Sequence, residues 1–191
     1  MHLIAIAGLS CSGKTTLAQK LSETLTAPII ALDDYYLALR DFSFEQRTKC
    51  NFDAPEMFDH ALLLDHLCRL RDGKPIQKPV YDFVTFTRSP ETQVILPSSH
   101  VILEGMYSLL WPEINTLAEV RVFLDVEPAT CLGRRIERDV SQRGRTPEEV
   151  AWRFERDVMP MYEKFLVPTK DSATHICKNL DVAQEIDLVL S

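Results

Sequence analysis

Along the chain, short runs that are apolar at nearly every position alternate with segments whose apolar residues return every three or four positions. Residues 2–7 form the first run, closed by Gly8, as expected of a strand buried on both faces. Residues 14–25 carry Leu17, Leu21 and Leu25 four apart, one face of a helix. Residues 29–32 predict a second strand, ended by Asp33 and Asp34, and 35–55 an irregular aromatic and charged loop. A helix is expected from Pro55, with Phe58, Leu62 and Cys68 among its apolar positions and Asp72-Gly73 as its stop. Prolines 79, 90 and 97 mark residues 76–97 as an irregular hairpin outside the main sheet, with β-type stretches at 80–87 and 93–96. Two more strands are predicted at 101–103 and 120–125. The helix 128–140 should turn Leu132, Ile136 and Val140 inward, and a polar loop, 141–146, follows it. A long helix from Pro147 carries Val150, Phe154, Val158 and Phe165 on one stripe, with a kink expected at Pro160. Residues 174–178 read as a last strand and 182–190 as a closing helix. Alternating buried strands and helices predict an α/β fold with a mostly parallel sheet covered on both faces, in one domain spanning 1–191.

Composition narrows the partners. The 191 residues are 46% hydrophobic and 26% charged, which excludes a disordered tail, a collagen-like repeat and a coiled coil. Lys and Arg number 21 against 28 Asp and Glu, a net charge of −7, so no nucleic acid or anionic membrane is expected as a partner. An anionic ligand must then be held by a local cluster of donors. Five cysteines without a C-x-x-C pair indicate reduced thiols rather than a disulfide framework or zinc ribbon. With no apolar stretch near 18 residues and no basic segment before the first apolar run, the expectation is a cytoplasmic protein.

The strongest chemistry is local. Gly8-Leu9-Ser10-Cys11-Ser12-Gly13-Lys14-Thr15 fits G-x-x-x-x-G-K-[ST], a pattern expected by chance about 0.005 times in such a chain. Strand before and helix after supply the context of a phosphate-binding loop. Its glycines let successive backbone N–H groups turn toward one concavity, and the helix N-terminus adds partial positive charge. Gly8, Ser10, Ser12, Gly13, Lys14, Thr15 and Thr16 are therefore candidate ATP contacts, with Lys14 reaching the β/γ-phosphates and the Thr15 hydroxyl ligating Mg²⁺. Cys11 reads as a small filler within the loop.

Asp33 and Glu104 each follow a predicted strand, and ligands of open α/β sheets sit beyond the carboxyl ends of strands. Both acids should face the loop, where Mg²⁺ takes one or two carboxylates plus phosphates and water. One of them could also accept the proton of an attacking hydroxyl. Asp34 reads as a turn or cap residue. Arg134, Arg135, Arg138, Arg143 and Arg145 crowd into twelve positions. Taken alone they would be a solvated face paired to Glu137 and Asp139, but beside a phosphate loop they are candidates to neutralise a transferring phosphoryl group. On the helix, Arg134 and Arg138 should lie opposite the Leu132 stripe, with Arg135 flanking it.

Together these residues resemble the uridine–cytidine kinases of the P-loop kinase group. The matching stretches are GLSCSGKTTLA, LDDYY, NFDAPEMFD, VYDFVTFTRSP, VILEGM, RRIERDVSQRGR and EKFLVPTK, in the family's order and over almost the whole chain. The resemblance implies a P-loop NTPase fold with a five-stranded mostly parallel sheet, a small β-hairpin at about 76–97 and an arginine lid at about 141–147. It implies Asp33 as catalytic base toward a ribose 5′-hydroxyl, Thr15, Asp33 and Glu104 as the magnesium shell, and Asp53 as the acid holding the ribose hydroxyls. Arg135 and Arg138 would lie near the 5′-hydroxyl and phosphates. Tyr36, Phe52, Tyr81 and Phe83 would surround the nucleoside, and Arg143 and Arg145 would form the lid. Two positions depart from the family. A histidine that contacts the pyrimidine is Phe86 here, and a glutamine after the lid is Arg153. Phe86 could stack on a base, whereas Arg153 has Glu149 and Asp157 at i−4 and i+4, an ordinary helix ion-pair row.

The expected function is ATP- and Mg²⁺-dependent phosphorylation of a nucleoside 5′-hydroxyl, with uridine or cytidine as the small-molecule acceptor and Asp33, Lys14 and Arg138 at the chemistry. The rivals are another small-molecule kinase of the group, acting on nicotinamide riboside, pantothenate or a sugar phosphate, and an ATP-gated binding protein without turnover. Family members are often tetramers, so the resemblance admits a homo-oligomer.

Overall fold

The computed structural model describes residues 1–178. At its centre is β1 (His2–Gly8), whose side chains alternate between two apolar layers. Leu3, Ala5 and Ala7 enter one layer, while Ile4 and Ile6 enter the other with Leu17 and Leu21 of α1 (Lys14–Leu25). Burial on both faces explains why the run lacks polar alternation. Next come β2 (Ile29–Ala31), a 3₁₀ turn (Leu32–Tyr35), a short α2 (Phe44–Thr48) and a 3₁₀ turn (Pro55–Met57). Helix α3 runs over His60–Arg71 and the hairpin comprises β3 (Ile76–Asp82) and β4 (Thr87–Ile95). Then follow β5 (His100–Glu104), α4 (Pro112–Leu117), β6 (Ala118–Leu124) and α5 (Pro128–Arg143). Helix α6 (Pro147–Arg153) continues through further helical turns, and β7 (His175–Cys177) completes the described residues.

The main sheet is five-stranded and parallel, in the order β2-β5-β1-β6-β7, with β3-β4 as a separate antiparallel pair. Register decides the site. Glu104 is level with Ile6 on one side and Ala31 on the other. Gly8 and Asp33 each stand two residues further on, so the phosphate loop, Asp33 and Glu104 emerge at one edge of the sheet.

Several expectations need correction. The helix predicted from Pro55 begins at His60, because the Asp59 carboxylate caps it by accepting from Leu62 N–H at 3.1 Å. The stretch 80–87 is not one strand: residues 83–86 form the hairpin turn, nucleated by Asp82 accepting from Val84 N–H at 2.8 Å. Within the loop 35–55, Ser43 and Gln46 form a reciprocal capping box that starts α2. At Pro160, where a kink is expected, the chain stays helical and π-helical turns (Phe154–Val158 and Tyr162–Leu166) flank the proline. The largest difference is α5, whose buried positions are Cys131, Arg135 and Asp139, while Val140 is 40% exposed. The predicted helix 182–190 lies outside the described residues.

Candidate active site

The phosphate loop depends on its glycines. A Cβ on Gly8 (φ +151°) would meet Ser12 Oγ at 2.8 Å and the Leu124 carbonyl at 2.9 Å. Gly13 (φ +104°) turns the chain into α1, and Cys11 also adopts a left-handed conformation. Ser12 lies buried beneath the loop. Lys14 is buried and donates to the Leu9 carbonyl at 2.9 Å, a resting position across its own loop. Burial lowers its pKa, and the neighbouring Glu104 and Asp33 carboxylates oppose that shift.

Opposite Lys14, the Thr15 hydroxyl donates to Glu104 Oε1 at 3.3 Å. Burial pushes the Glu104 carboxyl above the usual carboxylate range, with Lys14 pulling it back and Asp33 adding to the rise. Asp33 keeps access to cavity solvent yet is walled by protein. That desolvation raises its pKa, Lys14 opposes it, and Asp53 and Asp34 reinforce it. Two carboxylates and a hydroxyl in this arrangement suit a hard cation that also takes phosphate and water oxygens. The donors fit Mg²⁺ of that kind rather than a closed cage, and no group of three or more His, Cys, Asp and Glu suited to metal gathers among the described residues.

From this edge a cavity of about 190 Å³ runs toward the hairpin. Ser10, Lys14, Thr15, Asp33 and Glu104 line one end. Tyr36, Phe52, Asp53, Tyr81, Phe83 and Phe86 line it as well, as do Arg135, Arg138, Arg143, Arg145 and Arg153. A second depression, bordered by Gly13, Lys14, Thr15, Thr16, Arg134 and Arg138, lies outside the loop. Gly8 and Ser12 shape the loop without lining either.

The aromatic wall is a mutual packing. Tyr36 stacks on Phe58 at 4.3 Å between centroids and meets Tyr81 at 5.1 Å and Phe52 edge-on at 5.4 Å. Phe86 (φ +55°) sits in the hairpin turn in a conformation costly for a bulky residue, and its ring stacks on Phe52 at 5.5 Å. The hairpin also grips the turn that carries Asp33. Arg88 donates to the Tyr36 carbonyl at 2.7 Å, the Tyr35 carbonyl at 3.1 Å and Asp59 at 3.2 Å, while the buried Lys78 pairs with Asp34. Asp34 is thus an ion-pair partner of the hairpin as well as a turn residue.

Asp53 faces Arg135 at 3.6 Å, and its carbonyl accepts from the Tyr107 hydroxyl at 2.5 Å. Arg135 is buried, and its Nε and Nη1 make no hydrogen bond. Arg143 lies over the Phe83 ring at 5.9 Å, so the end of α5 reaches the hairpin turn. Arg153 donates to Glu149 at 3.0 Å, the ion pair expected from spacing, and still lines the cavity with Asp157. Sequence reading missed Arg88, Lys78 and Tyr107, whose partners come from distant segments. It also left Asp139 on a solvated face, although the i, i+4 spacing to Arg135 and Arg143 was available as a signal.

Residues 3–185 match the model of the Phosphoribulokinase / Uridine kinase family. A uridine kinase of Shewanella amazonensis is 38% identical over 178 residues, covering 90% of this chain and 84% of that one. A uridine kinase of Ligilactobacillus salivarius is 38% identical over 171 residues, covering 88% and 80%. The fold is also that of phosphoribulokinase from Rhodobacter spheroides, with a TM-score of 0.65 at 17% identity over 90% of this chain and 68% of that one.

Proposed function

The chain belongs to the phosphoribulokinase/uridine kinase family, and from that footing we propose that it transfers the γ-phosphoryl group of ATP to the 5′-hydroxyl of a pyrimidine ribonucleoside. One observation carries the reading beyond family membership. Asp33 shares a cavity with Lys14 and Glu104 on the phosphate side and with Asp53 and an aromatic wall on the other.

ATP would lie along the phosphate loop, with Lys14 leaving the Leu9 carbonyl for the β/γ-phosphates. Asp53 and Arg135 would hold the ribose hydroxyls, and Tyr36, Phe52, Tyr81, Phe83 and Phe86 would enclose the base. Asp33 would accept the 5′-hydroxyl proton as that oxygen attacks the γ-phosphorus, and its raised pKa suits a group that must take a proton. Arg138, Arg143 and Arg145 would neutralise the equatorial oxygens as ADP departs. Thr15, Asp33 and Glu104 would hold Mg²⁺, which would supply positive charge to offset the negative charge of the phosphates. A phosphorylated acceptor is disfavoured, because Arg153, the cation added at the acceptor end, is already paired to Glu149.

The test is acceptor-stimulated ADP release from Mg·ATP, with product mass, across uridine, cytidine, purine nucleosides, nicotinamide riboside, pantothenate and ribulose 5-phosphate. A nucleoside 5′-monophosphate from uridine or cytidine is the expected product. Turnover confined to another acceptor would overturn the substrate class, and none with any acceptor would favour an ATP-gated binding protein.

A further inference from the structure

Asp139 is 0% exposed, and its carboxylate is surrounded by arginines. Arg138 Nε donates to one oxygen at 2.8 Å, with Arg143 Nη1 at 3.5 Å from the same atom. Arg145 Nη1 donates to the other at 3.2 Å, with Arg135 Nε at 3.8 Å. Arg135, Arg138 and Arg143 project from α5, whereas Arg145 lies beyond the Gly144 cap (φ +63°). All these arginines line the cavity, and Asp139 does not. Burial alone would raise its pKa, but the guanidiniums outweigh that and hold the carboxyl below its usual range, permanently ionised at neutral pH.

We propose that Asp139 is the positioning residue of the phosphoryl-transfer machinery, the anchor that gathers Arg135, Arg138 and Arg143 of α5 and Arg145 beyond its cap into one phosphate-facing crown. The inference rests on the kinase reading above. Four guanidiniums brought this close repel one another, and one buried carboxylate is what lets them share a site. Its oxygens bind the arginine edges on the protein side, leaving other N–H donors of the same forks for the cavity. Without it, Arg143 at the end of α5 and Arg145 beyond it lose their counter-ion, and Arg145 swings out on the Gly144 turn.

The sign of one measurement separates this from a simple charge effect. If the arginines stayed in place, Asp139→Asn would remove a negative charge beside the phosphates, and tripolyphosphate would bind more tightly. Positioning predicts the reverse: affinity for tripolyphosphate, measured by calorimetry without Mg²⁺ or acceptor, falls about tenfold. Turnover with Mg·ATP and the best acceptor falls about 100-fold, while the acceptor KM moves less than about threefold. In a double-mutant cycle, Asp139→Asn costs little once Arg143→Ala and Arg145→Ala are present. Tighter tripolyphosphate binding, or losses that add, would overturn the proposal. Asp139→Glu covers the case in which the asparagine variant does not fold: charge is kept but the carboxylate is displaced, so turnover should drop about tenfold, and unchanged turnover would overturn the proposal. A wild type that binds tripolyphosphate but phosphorylates no acceptor would sink the kinase reading and leave the crown tested by binding alone.

Discussion

The two ends of the cavity are made differently. At the phosphate end, eight consecutive residues and the first turn of α1 supply the loop, Lys14 and Thr15, and flanking strands deliver Asp33 and Glu104 by register alone. At the acceptor end, no two adjacent elements suffice. Phe52 comes from the long loop, Tyr81 and Phe86 from the hairpin, and Arg135 from α5. The first end is specified by backbone conformation, which tolerates few residues. The second is specified by side-chain packing, which many combinations satisfy. On the proposed function, generic chemistry therefore falls where sequence is most constrained, and substrate choice where it is least.

The sharpest way to break this division is Asp33→Asn. If Asp33 serves the chemistry rather than nucleotide binding, turnover falls on the order of 10³-fold while ATP affinity stays within a few-fold. The same change should raise the thermal midpoint of the ligand-free protein in Mg²⁺-free buffer. A carboxyl whose folded pKa is raised above its unfolded value contributes most stability below the unfolded pKa and loses it as pH rises through the folded one. Burial therefore disfavours the ionised form of Asp33, a cost that the neutral amide does not carry. A lowered midpoint would show that Asp33 is structural, and a tenfold or greater loss of ATP affinity would show that it serves nucleotide binding rather than the transfer step.

Phe52→Ala tests the other end. It removes the ring that bridges Tyr36 and Phe86, and the acceptor KM should rise about 10- to 30-fold with the ATP KM unchanged. Equal rises in both would mean that the two ends are not separable.

What the sequence disclosed follows the same line. The phosphate loop and the parallel strands could be read because local pattern determines them. The inward face of α5 could not, because three aliphatic residues at i, i+4 and i+8 outbid a Cys-Arg-Asp stripe on any hydrophobicity argument. Arg135 and Asp139 are tolerable inside only because Asp53, Arg138, Arg143 and Arg145 meet them there. The hairpin turn was hidden for a related reason: 80–87 is rich in β-formers, and one aspartate side chain bends it. Arg153 went the other way, since the i−4 ion pair predicted by spacing is present and the residue lines the cavity as well.

A smaller effect is expected at Arg153. Its guanidinium can only donate hydrogen bonds, whereas a glutamine amide both donates and accepts. Uracil offers a carbonyl where cytosine offers an amino group. Arg153→Gln should narrow the uridine-to-cytidine ratio of kcat/KM about threefold, with the ATP KM unaffected. An unchanged ratio would confine Arg153 to its helix ion pair.

The smallest effect concerns the joint between the two ends. Tyr35, in the turn that carries Asp33, shares a 2.9 Å hydrogen bond with His66 Nδ1 on α3. Burial lowers the His66 pKa. Asp65 and Asp59 oppose the shift, whereas Arg69 and Arg88 add to it. The sign then follows from linkage. His66 is neutral in both folded and unfolded chains above about pH 6.5, so it costs nothing there. As pH falls below that value the unfolded chain takes up a proton that the folded protein resists, and stability declines until the folded pKa is passed. His66→Gln keeps a hydrogen-bonding group toward Tyr35 but cannot titrate. Between pH 7 and pH 5 its thermal midpoint should decline less steeply than that of the wild type, by no more than about 3 °C. If the slopes coincide, protonation of His66 does not strain the joint, and the two ends are coupled through Arg88 and Lys78 instead.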